Sequence, residues 1–182
     1  WSRNNIFAGG VPFRFPSSSD YGTGLTDNGI QLINRCNELG ILIDLSHMNT
    51  ASFWDVVKNS EKPLIATHSN VHAICPHSRN LTDDQLDAIA DSEGLVGVNF
   101  GAAFLRDDGR MLGDFSIDNI LKHIDYLLEK LGESGVAFGS DYDGAVVPDE
   151  IASVSDLQRL VRAMQKHGYG EDLIERLCVK NW

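Results

Sequence analysis

Gly40-Ile-Leu-Ile-Asp-Leu-Ser-His47 and Pro63-Leu-Ile-Ala-Thr-His-Ser69 are two short apolar runs, each of which ends at a histidine or one residue beyond it. The two histidines, His47 and His68, are 21 positions apart. This separation accommodates one strand, one helix and the return to the next strand. It therefore predicts two neighbouring parallel strands with both imidazoles at the same end of the sheet.

The rest of the chain continues this alternation of strands and helices. We predict four uniformly apolar strands, at 41–46, 64–67, 95–100 and 136–140. Uniformly apolar strands are typical of a parallel sheet that is buried on both faces. Amphipathic spacing and capping residues predict helices at about 26–39, 50–59, 82–91, 116–131, 155–167 and 171–178, whereas residues 1–24 predict a long loop. The pattern indicates an α/β domain in which helices cover a parallel sheet.

The composition disfavours several classes of function. The net charge is −11 and Lys and Arg form no cluster, so nucleic acid is not expected as a partner. The apolar stretches are only as long as strands, so no membrane segment is expected. The sequence contains neither of the glycine-rich phosphate-binding motifs, G-x-G-x-x-G and G-x-x-x-x-G-K, which disfavours a nucleotide cofactor. Three unevenly spaced cysteines predict free thiols in a reducing compartment, and we therefore expect a cytoplasmic location.

The length leaves two architectures open. A complete eight-stranded barrel needs roughly 250 residues, and four strands are about half of one. The 182 residues therefore form either an open doubly wound sheet or the C-terminal part of a larger barrel. A half-barrel would expose unpaired edges at 41–46 and 136–140, unless another segment covers them.

Three strand ends carry residues that are suited to a metal-dependent hydrolase. His47 and His68 end two of the strands, and Asp141 follows the strand at 136–140. Neighbouring strands lie about 4.8 Å apart, so two such imidazoles can converge on one metal ion. A carboxylate beside them would serve a metal-bound water. Zinc takes about four ligands, so a further ligand must come from elsewhere.

The other polar candidates have structural alternatives. Asp44 lies three residues before His47, so the two side chains point to opposite faces of the predicted strand. This favours a structural role for Asp44 over metal binding. Arg79 could hold a substrate carboxylate, but pairing with Asp83 or Asp84 is the favoured interpretation from the sequence pattern alone. Asp143 is as well suited to capping a turn. The remaining histidines divide into His72 and His77, which could border a site, and His123 and His167, which fall within predicted helices.

Several segments together resemble the renal (membrane) dipeptidase family of zinc metallopeptidases, peptidase family M19. The matching segments are Asn5-Ile-Phe-Ala-Gly-Gly10, Gly24-Leu-Thr-Asp-Asn-Gly29, Leu39-Gly-Ile-Leu-Ile-Asp-Leu-Ser-His47, Thr67-His-Ser-Asn70, Ser78-Arg-Asn80, Val96-Gly-Val-Asn-Phe100 and Gly139-Ser-Asp-Tyr-Asp-Gly144. They occur in the family's order and cover nearly the whole chain. The resemblance implies an eight-stranded (β/α) barrel that hydrolyses dipeptides at a centre of two zinc ions.

The resemblance also assigns roles to individual residues. It implies that His47 and His68 bind the second zinc ion and that Asp141 is the general acid and base. It implies that Arg79 binds the terminal carboxylate of the substrate. Asp143 lies inside a matching motif but receives no role.

Other parts of the family pattern are absent. The His-x-Asp pair for the first zinc ion and the glutamate that bridges the two metals do not occur, and Trp1 stands where some members carry a substrate-contacting histidine. Residues 1–182 therefore resemble a single partial domain, the C-terminal half of a (β/α)8 TIM-type barrel. We expect this chain to be inactive alone and to need an N-terminal half-barrel partner or a homo-oligomer. Two alternatives stay open: another amidohydrolase-type barrel hydrolase, or an inactive fragment that only assembles with another chain.

Overall fold

A parallel sheet of three strands forms the centre of the computed structural model, which describes residues 4–182. The strands are β1 (Ile65–Ser69), β2 (Leu95–Asn99) and β3 (Val136–Ser140), in the order β1-β2-β3. Both pairs are parallel, so the C-terminal ends of all three strands lie at one edge of the sheet. The expectation for Trp1 lies outside the described residues.

Helices alternate with the strands, as predicted. They are α1 (Asp27–Leu39), α2 (Thr50–Asn59), α3 (Asp83–Asp91), α4 (Ala102–Leu105), α5 (Asp118–Leu131), α6 (Leu157–His167) and α7 (Glu171–Glu175). The cap signals act as expected: Thr26 Oγ1 accepts a hydrogen bond from the Gly29 amide at 3.1 Å, and Gly40 ends α1 at φ 70°. The short buried helix α4 was not predicted. Short helical turns at Asp149–Ile151, Val154–Asp156 and Arg176–Lys180 complete the elements.

The predicted strand at 41–46 is wrong in detail. This segment runs beside β1 but forms only one parallel bridge, between Asp44 and Ile65, with a hydrogen bond from the Leu45 amide to the Ile65 carbonyl at 2.7 Å. Further along β1, the Thr67 amide donates a hydrogen bond to the Asp44 carboxylate at 2.9 Å. A side chain therefore replaces the main-chain partner that a regular ladder requires, and the strand does not continue.

The two edges of the sheet differ. On the 41–46 side, Ile41 and Leu42 are each 49% exposed. On the β3 side, the C-terminal residues supply donors to strand carbonyls: Asn181 Nδ2 donates to Val136 at 2.7 Å and Trp182 Nε1 to Phe138 at 3.0 Å. The predicted open edge at 136–140 is thus partly covered, whereas the edge at 41–46 presents apolar side chains to solvent.

Helix α5 covers one face of the sheet. Its apolar stripe includes Ile120, Ile124 and Leu127, which are fully buried in one core cluster with Val96 and Val98 of β2. This packing fixes β2 at the centre and leaves the C-terminal ends of the strands for polar residues. All three cysteines are free. Within residues 4–182, every helix is too short or too polar to cross a bilayer.

Candidate active site

The structure brings His47 and His68 together at the C-terminal edge of the sheet. Their Nε2 atoms lie 2.8 Å apart and their ring centroids 4.9 Å apart. His68 belongs to β1, and His47 follows the irregular segment beside it. The predicted convergence of the two imidazoles therefore occurs, although the first of the two segments is not a regular strand.

Irregularities in the strand backbone determine the direction of these side chains. The register between β1 and β2 shifts between Ala66 and Ser69, so β1 contains one extra residue next to His68. A second shift, between β2 and β3, comes just before Asp141. An extra residue reverses the alternation of side chains and redirects the residue that follows it. Strand alternation in the sequence therefore could not predict where these side chains point.

Backbone strain also collects at this edge. Among the described residues, four that are not glycine have positive φ, and three of them are here: His47 (65°), Ser140 (32°) and Asp141 (69°). Residues other than glycine rarely adopt positive φ, and each one that does lowers the folding free energy gain by about 1–3 kcal/mol. Such strain is common at functional sites because it holds a side chain where relaxed backbone would not.

A hydrogen-bond chain defines the proton position on His68. Thr67 Oγ1 lies 2.7 Å from both Asp44 Oδ2 and His68 Nδ1. The ionised Asp44 carboxylate can only accept, so the Thr67 hydroxyl donates to it and in turn accepts from His68 Nδ1–H. The Nε2 lone pair of His68 consequently faces His47, which is the arrangement that a metal ligand needs.

Asp44 is held ionised in this chain. Burial raises its pKa, but hydrogen bonds from Thr67 and Ser46 oppose burial and leave the pKa below its usual value. The carboxylate accepts from the Thr67 amide and hydroxyl and from the Ser46 amide at 3.0 Å. The expected structural role of Asp44 fits these contacts, since it supports the segment that carries His68.

Both imidazoles are neutral near pH 7. Burial, followed by the positive charge of Arg79 and the neighbouring His68, lowers the pKa of His47 to about 3. The pKa of His68 is lowered by the same causes, burial first and then Arg79. Metal ions bind the neutral imidazole, so the protein environment favours the state that coordinates a metal.

Arg79 is a buried cation beside this pair. Its side chain is only 4% exposed, and Nη2 donates to the His68 carbonyl at 2.9 Å. The guanidinium lies 5.5 Å from the ring centroid of Phe104 and 5.9 Å from that of Phe13. Burial lowers the Arg79 pKa and the charges of Asp141 and Asp44 oppose it, with a net pKa of about 10. The residue is therefore still cationic at neutral pH.

The bonding of Arg79 is incomplete. Its Nε is buried and has no hydrogen-bond partner among the described residues. The pairing with Asp83 or Asp84 that the sequence pattern favoured is wrong, since Asp83 accepts from Tyr126 at 2.9 Å and pairs with Lys130. A buried N–H without an acceptor is costly, and an anionic group would satisfy it.

Asn99 links Asp141 to the same cluster. Asn99 Nδ2 donates to Asp141 Oδ2 at 2.9 Å and to the His68 carbonyl at 3.3 Å. The His68 carbonyl thus accepts from both Arg79 and Asn99, which links His68 to Arg79 and, through Asn99, to Asp141. Sequence reasoning gave Asn99 no role, although a polar residue at the end of apolar β2 was a signal comparable to His68. Asp143 is exposed in the turn that follows.

Phe13 is a second residue that the sequence analysis missed. It lies in the long N-terminal loop, and its ring stacks on His47 with the centroids 5.6 Å apart. Phe13 carried no signal in one sequence, because the residues that it contacts are distant along the chain.

The remaining histidines differ in their relation to the site. His77 Nδ1 accepts from the Arg79 amide at 3.0 Å and borders the site. His72 Nε2 lies 3.0 Å from the Ser17 carbonyl. His123 is fully buried and accepts from the Val71 amide, in the structural role expected, and His167 pairs with Asp125 at the surface.

The two imidazoles fit part of a metal site. Two nitrogens on one tetrahedral zinc ion lie about 3.3 Å apart, close to the 2.8 Å between His47 and His68. A small outward movement of either ring would admit the ion. Within the part of the chain that the structure describes, no group of three or more His, Cys, Asp or Glu residues could hold a metal. Metal ligands in addition to His47 and His68 must therefore come from outside the described residues.

A family model described as membrane dipeptidase (peptidase family M19) matches residues 1–182. The chain belongs to the M19 family. Dipeptidase AC, a metallopeptidase of family M19, is 51% identical over the whole chain with a TM-score of 0.99. A metallopeptidase from Rhodobacter sphaeroides, solved with a phosphinate mimic of the dipeptide L-Ala-D-Ala, has the same identity and TM-score. An uncharacterized protein from the pqqA 5′ region of Klebsiella pneumoniae is 50% identical over 182 residues and 67% of its own length.

These M19 relatives decide between the two architectures. The chain covers 54% of dipeptidase AC and 52% of the Rhodobacter sphaeroides enzyme, or about half the length of each. The predicted partial (β/α) barrel is confirmed, and the open doubly wound sheet is excluded. The parallel sheet with its helices is part of an M19 barrel.

Proposed function

We propose that this M19 chain supplies the C-terminal half of the active site of a zinc-dependent dipeptidase. The observation that carries the proposal is the 2.8 Å approach of two neutral imidazoles, with a buried guanidinium bonded to the carbonyl of one of them. The pair suits a cation, and the guanidinium suits an anion. A dipeptide has its scissile carbonyl only two bonds from the Cα that carries its free carboxylate, so it can occupy both positions.

His47 and His68 would hold one of two zinc ions through Nε2. Zinc would supply Lewis-acid polarisation of the scissile carbonyl and lower the pKa of the attacking water. The chain itself prepares the ligands: Asp44 and Thr67 orient His68, and burial keeps both imidazoles neutral. The first-zinc ligands and the bridging glutamate are expected from the N-terminal half of the barrel.

Arg79 would bind the free carboxylate of the substrate. Its charge is buried, its planar group lies beside two aromatic rings, and its Nε lacks an acceptor among the described residues. A carboxylate would accept from this N–H and neutralise the charge. Because the arginine lies beside the histidine pair, binding the C-terminus there would restrict cleavage to very short peptides.

Asp141 would transfer the proton to the leaving amine. Its carboxylate accepts from Asn99, and its backbone is strained at φ 69°. The hydrogen bond from Asn99 fixes one carboxylate oxygen, Oδ2. A general acid and base at this position completes the hydrolysis of an amide bond.

The test uses the protein as its gene encodes it. Zinc-loaded protein is expected to hydrolyse dipeptides, to lose activity with a chelator and to recover it with zinc. The matched control is the same dipeptide as its C-terminal amide, which lacks the carboxylate and should be a poor substrate. Hydrolysis that is indifferent to chelator would overturn the proposal, and equal hydrolysis of the amide would favour an amidohydrolase-type activity. The 182-residue chain alone is expected to be inactive, and its zinc content and oligomeric state test the assembly-only alternative.

A further inference from the structure

We propose that Phe13 is a specificity-determining residue, whose ring forms the wall of the subsite for the C-terminal side chain of a dipeptide. This inference rests on the proposed function and extends it to substrate preference. Phe13 is 49% exposed, in a chain where most large apolar side chains around the site are buried. An exposed aromatic ring at an active-site edge is available to contact a ligand.

The ring of Phe13 spans the two halves of the candidate site. On one side it stacks on His47, with a centroid separation of 5.6 Å and an interplanar angle of 29°. The Arg79 guanidinium also lies 5.9 Å from its centroid. Edge contacts with His77 and Phe104, both at 6.1 Å, complete its surroundings. Phe13 thus connects the predicted metal position to the predicted carboxylate position.

Hydrogen bonds on both sides hold Phe13 in place. Ser78 Oγ donates to the Pro12 carbonyl at 2.8 Å and accepts from the Arg14 amide at 3.0 Å. The Ser78 amide also donates to the Arg14 carbonyl at 3.1 Å. Ser78 immediately precedes Arg79, so the loop is bound to the segment that carries the guanidinium. A ring held in this way contacts substrate without a further loss of loop entropy.

The geometry of a dipeptide determines which part of it meets Phe13. Only the amide nitrogen and the Cα of the C-terminal residue separate its carboxylate from the scissile carbonyl. With the carboxylate at Arg79 and the carbonyl at the metal held by His47, that Cα lies between these two residues. Phe13 stacks on His47 and lies beside Arg79, so the C-terminal side chain packs against its apolar face. The ring favours apolar side chains and limits their size.

The experiment compares Phe13→Ala with the unmodified full-length protein on two series of dipeptides. One series varies the C-terminal residue from Ala to Leu to Trp, and the other varies the N-terminal residue in the same way. We expect Phe13→Ala to shift the kcat/KM ratio of bulky over small C-terminal residues upwards by about 10-fold. The ratios of the N-terminal series should not change. Phe13→Leu, which keeps an apolar side chain, should give a smaller shift and serves if Phe13→Ala is inactive.

Phe104→Leu is the matched control. Phe104 flanks the same guanidinium at 5.5 Å but is only 3% exposed. Its replacement should lower kcat/KM for all substrates alike and leave the selectivity unchanged. Unchanged C-terminal selectivity in an active Phe13 variant, or equal shifts in both series, would overturn this inference alone. An unmodified protein that hydrolyses no dipeptide would overturn the proposed function, and the inference with it.

Discussion

Asp44 accepts two hydrogen bonds from Thr67, one from the amide at 2.9 Å and one from the hydroxyl at 2.7 Å. The first replaces a rung of the sheet, and the second directs the hydroxyl so that it accepts from His68. One carboxylate therefore ends a strand and orients an imidazole. The same pair of residues explains both the irregular edge of the fold and the order of the candidate metal site.

Thr67→Val tests this orientation. Valine keeps the branched shape but removes the hydroxyl, so His68 Nδ1–H loses its acceptor. We expect zinc affinity of the full-length protein to fall about 10- to 100-fold, measured by competition with a chromophoric chelator. In the metal-free unmodified protein, nitrogen NMR should find the His68 proton on Nδ1. In the metal-free Thr67→Val variant, the proton should no longer be held on Nδ1. Thr67→Ser keeps the hydroxyl and should behave as the unmodified protein; equal zinc affinity in the valine variant would contradict the prediction.

Arg79→Lys tests the carboxylate site. Lysine keeps a positive charge but loses the planar group that pairs with a carboxylate through two N–H bonds. We expect kcat/KM for dipeptides to fall by about 100-fold or more, because a buried charge pair loses its geometry. Slow hydrolysis of a dipeptide amide should be unaffected, which makes it the internal control. A lysine variant with full dipeptidase activity would show that Arg79 does not bind the substrate carboxylate.

His123 should make stability depend on pH. Burial lowers its pKa to about 4, although the hydrogen bond with Leu105 opposes this change. The unfolded chain binds a proton below about pH 6.5, whereas the folded chain does so only near pH 4. The unfolded state therefore binds more protons in this window, and the free energy of unfolding falls as the pH is lowered through it.

The measurement is urea unfolding of the metal-free protein at several pH values between about 4 and 6.5. One such group contributes up to about 1.4 kcal/mol per pH unit, and His123→Asn should flatten the pH dependence by roughly this amount. In the unmodified protein the Val71 amide donates a hydrogen bond to His123 Nδ1 at 3.1 Å, and asparagine keeps an acceptor for this amide. The unmodified protein, measured in parallel, is the reference for the slope. An unaltered slope in the His123 variant would contradict the prediction.

Gly97→Ala should damage the sheet beside His68. A Cβ at Gly97 would collide with the carbonyl oxygen of Thr67, in the part of β1 where the register shifts. The carbonyl belongs to the backbone and cannot rotate away, so we expect a loss of about 1–3 kcal/mol in unfolding free energy and weaker zinc binding. Gly170→Ala is the control, since a Cβ there meets nothing within 4 Å. Equal stability of the two variants in urea unfolding would contradict this account.

The regular parts of the fold followed from local patterns. Apolar runs marked β1, β2 and β3, and the caps at Thr26 and Gly40 marked the ends of α1, because these signals act between residues a few positions apart. Parallel strands end at one edge, so the sequence also indicated that His47 and His68 would approach each other. Their roles as zinc ligands, and that of Asp141 in proton transfer, stay predictions.

Other features depended on contacts between distant segments. Arg79 was expected to pair with a neighbour four or five residues away but instead donates to His68 and lies beside two aromatic rings. Ser78 bonds to Pro12 and Arg14, more than sixty positions earlier, and so positions Phe13. The spacing of residues along the chain carries no record of such contacts.

The sequence by itself therefore determined the alternation of strands and helices, the family resemblance and which strand ends carry chemically active side chains. Only the tertiary structure decided where those side chains point. The physical reason is that an extra residue in β1, the strained backbone at His47 and the carboxylate of Asp44 each redirect the chain locally. These irregularities are stable only because packing and hydrogen bonds from other segments hold them, and no local pattern encodes that support.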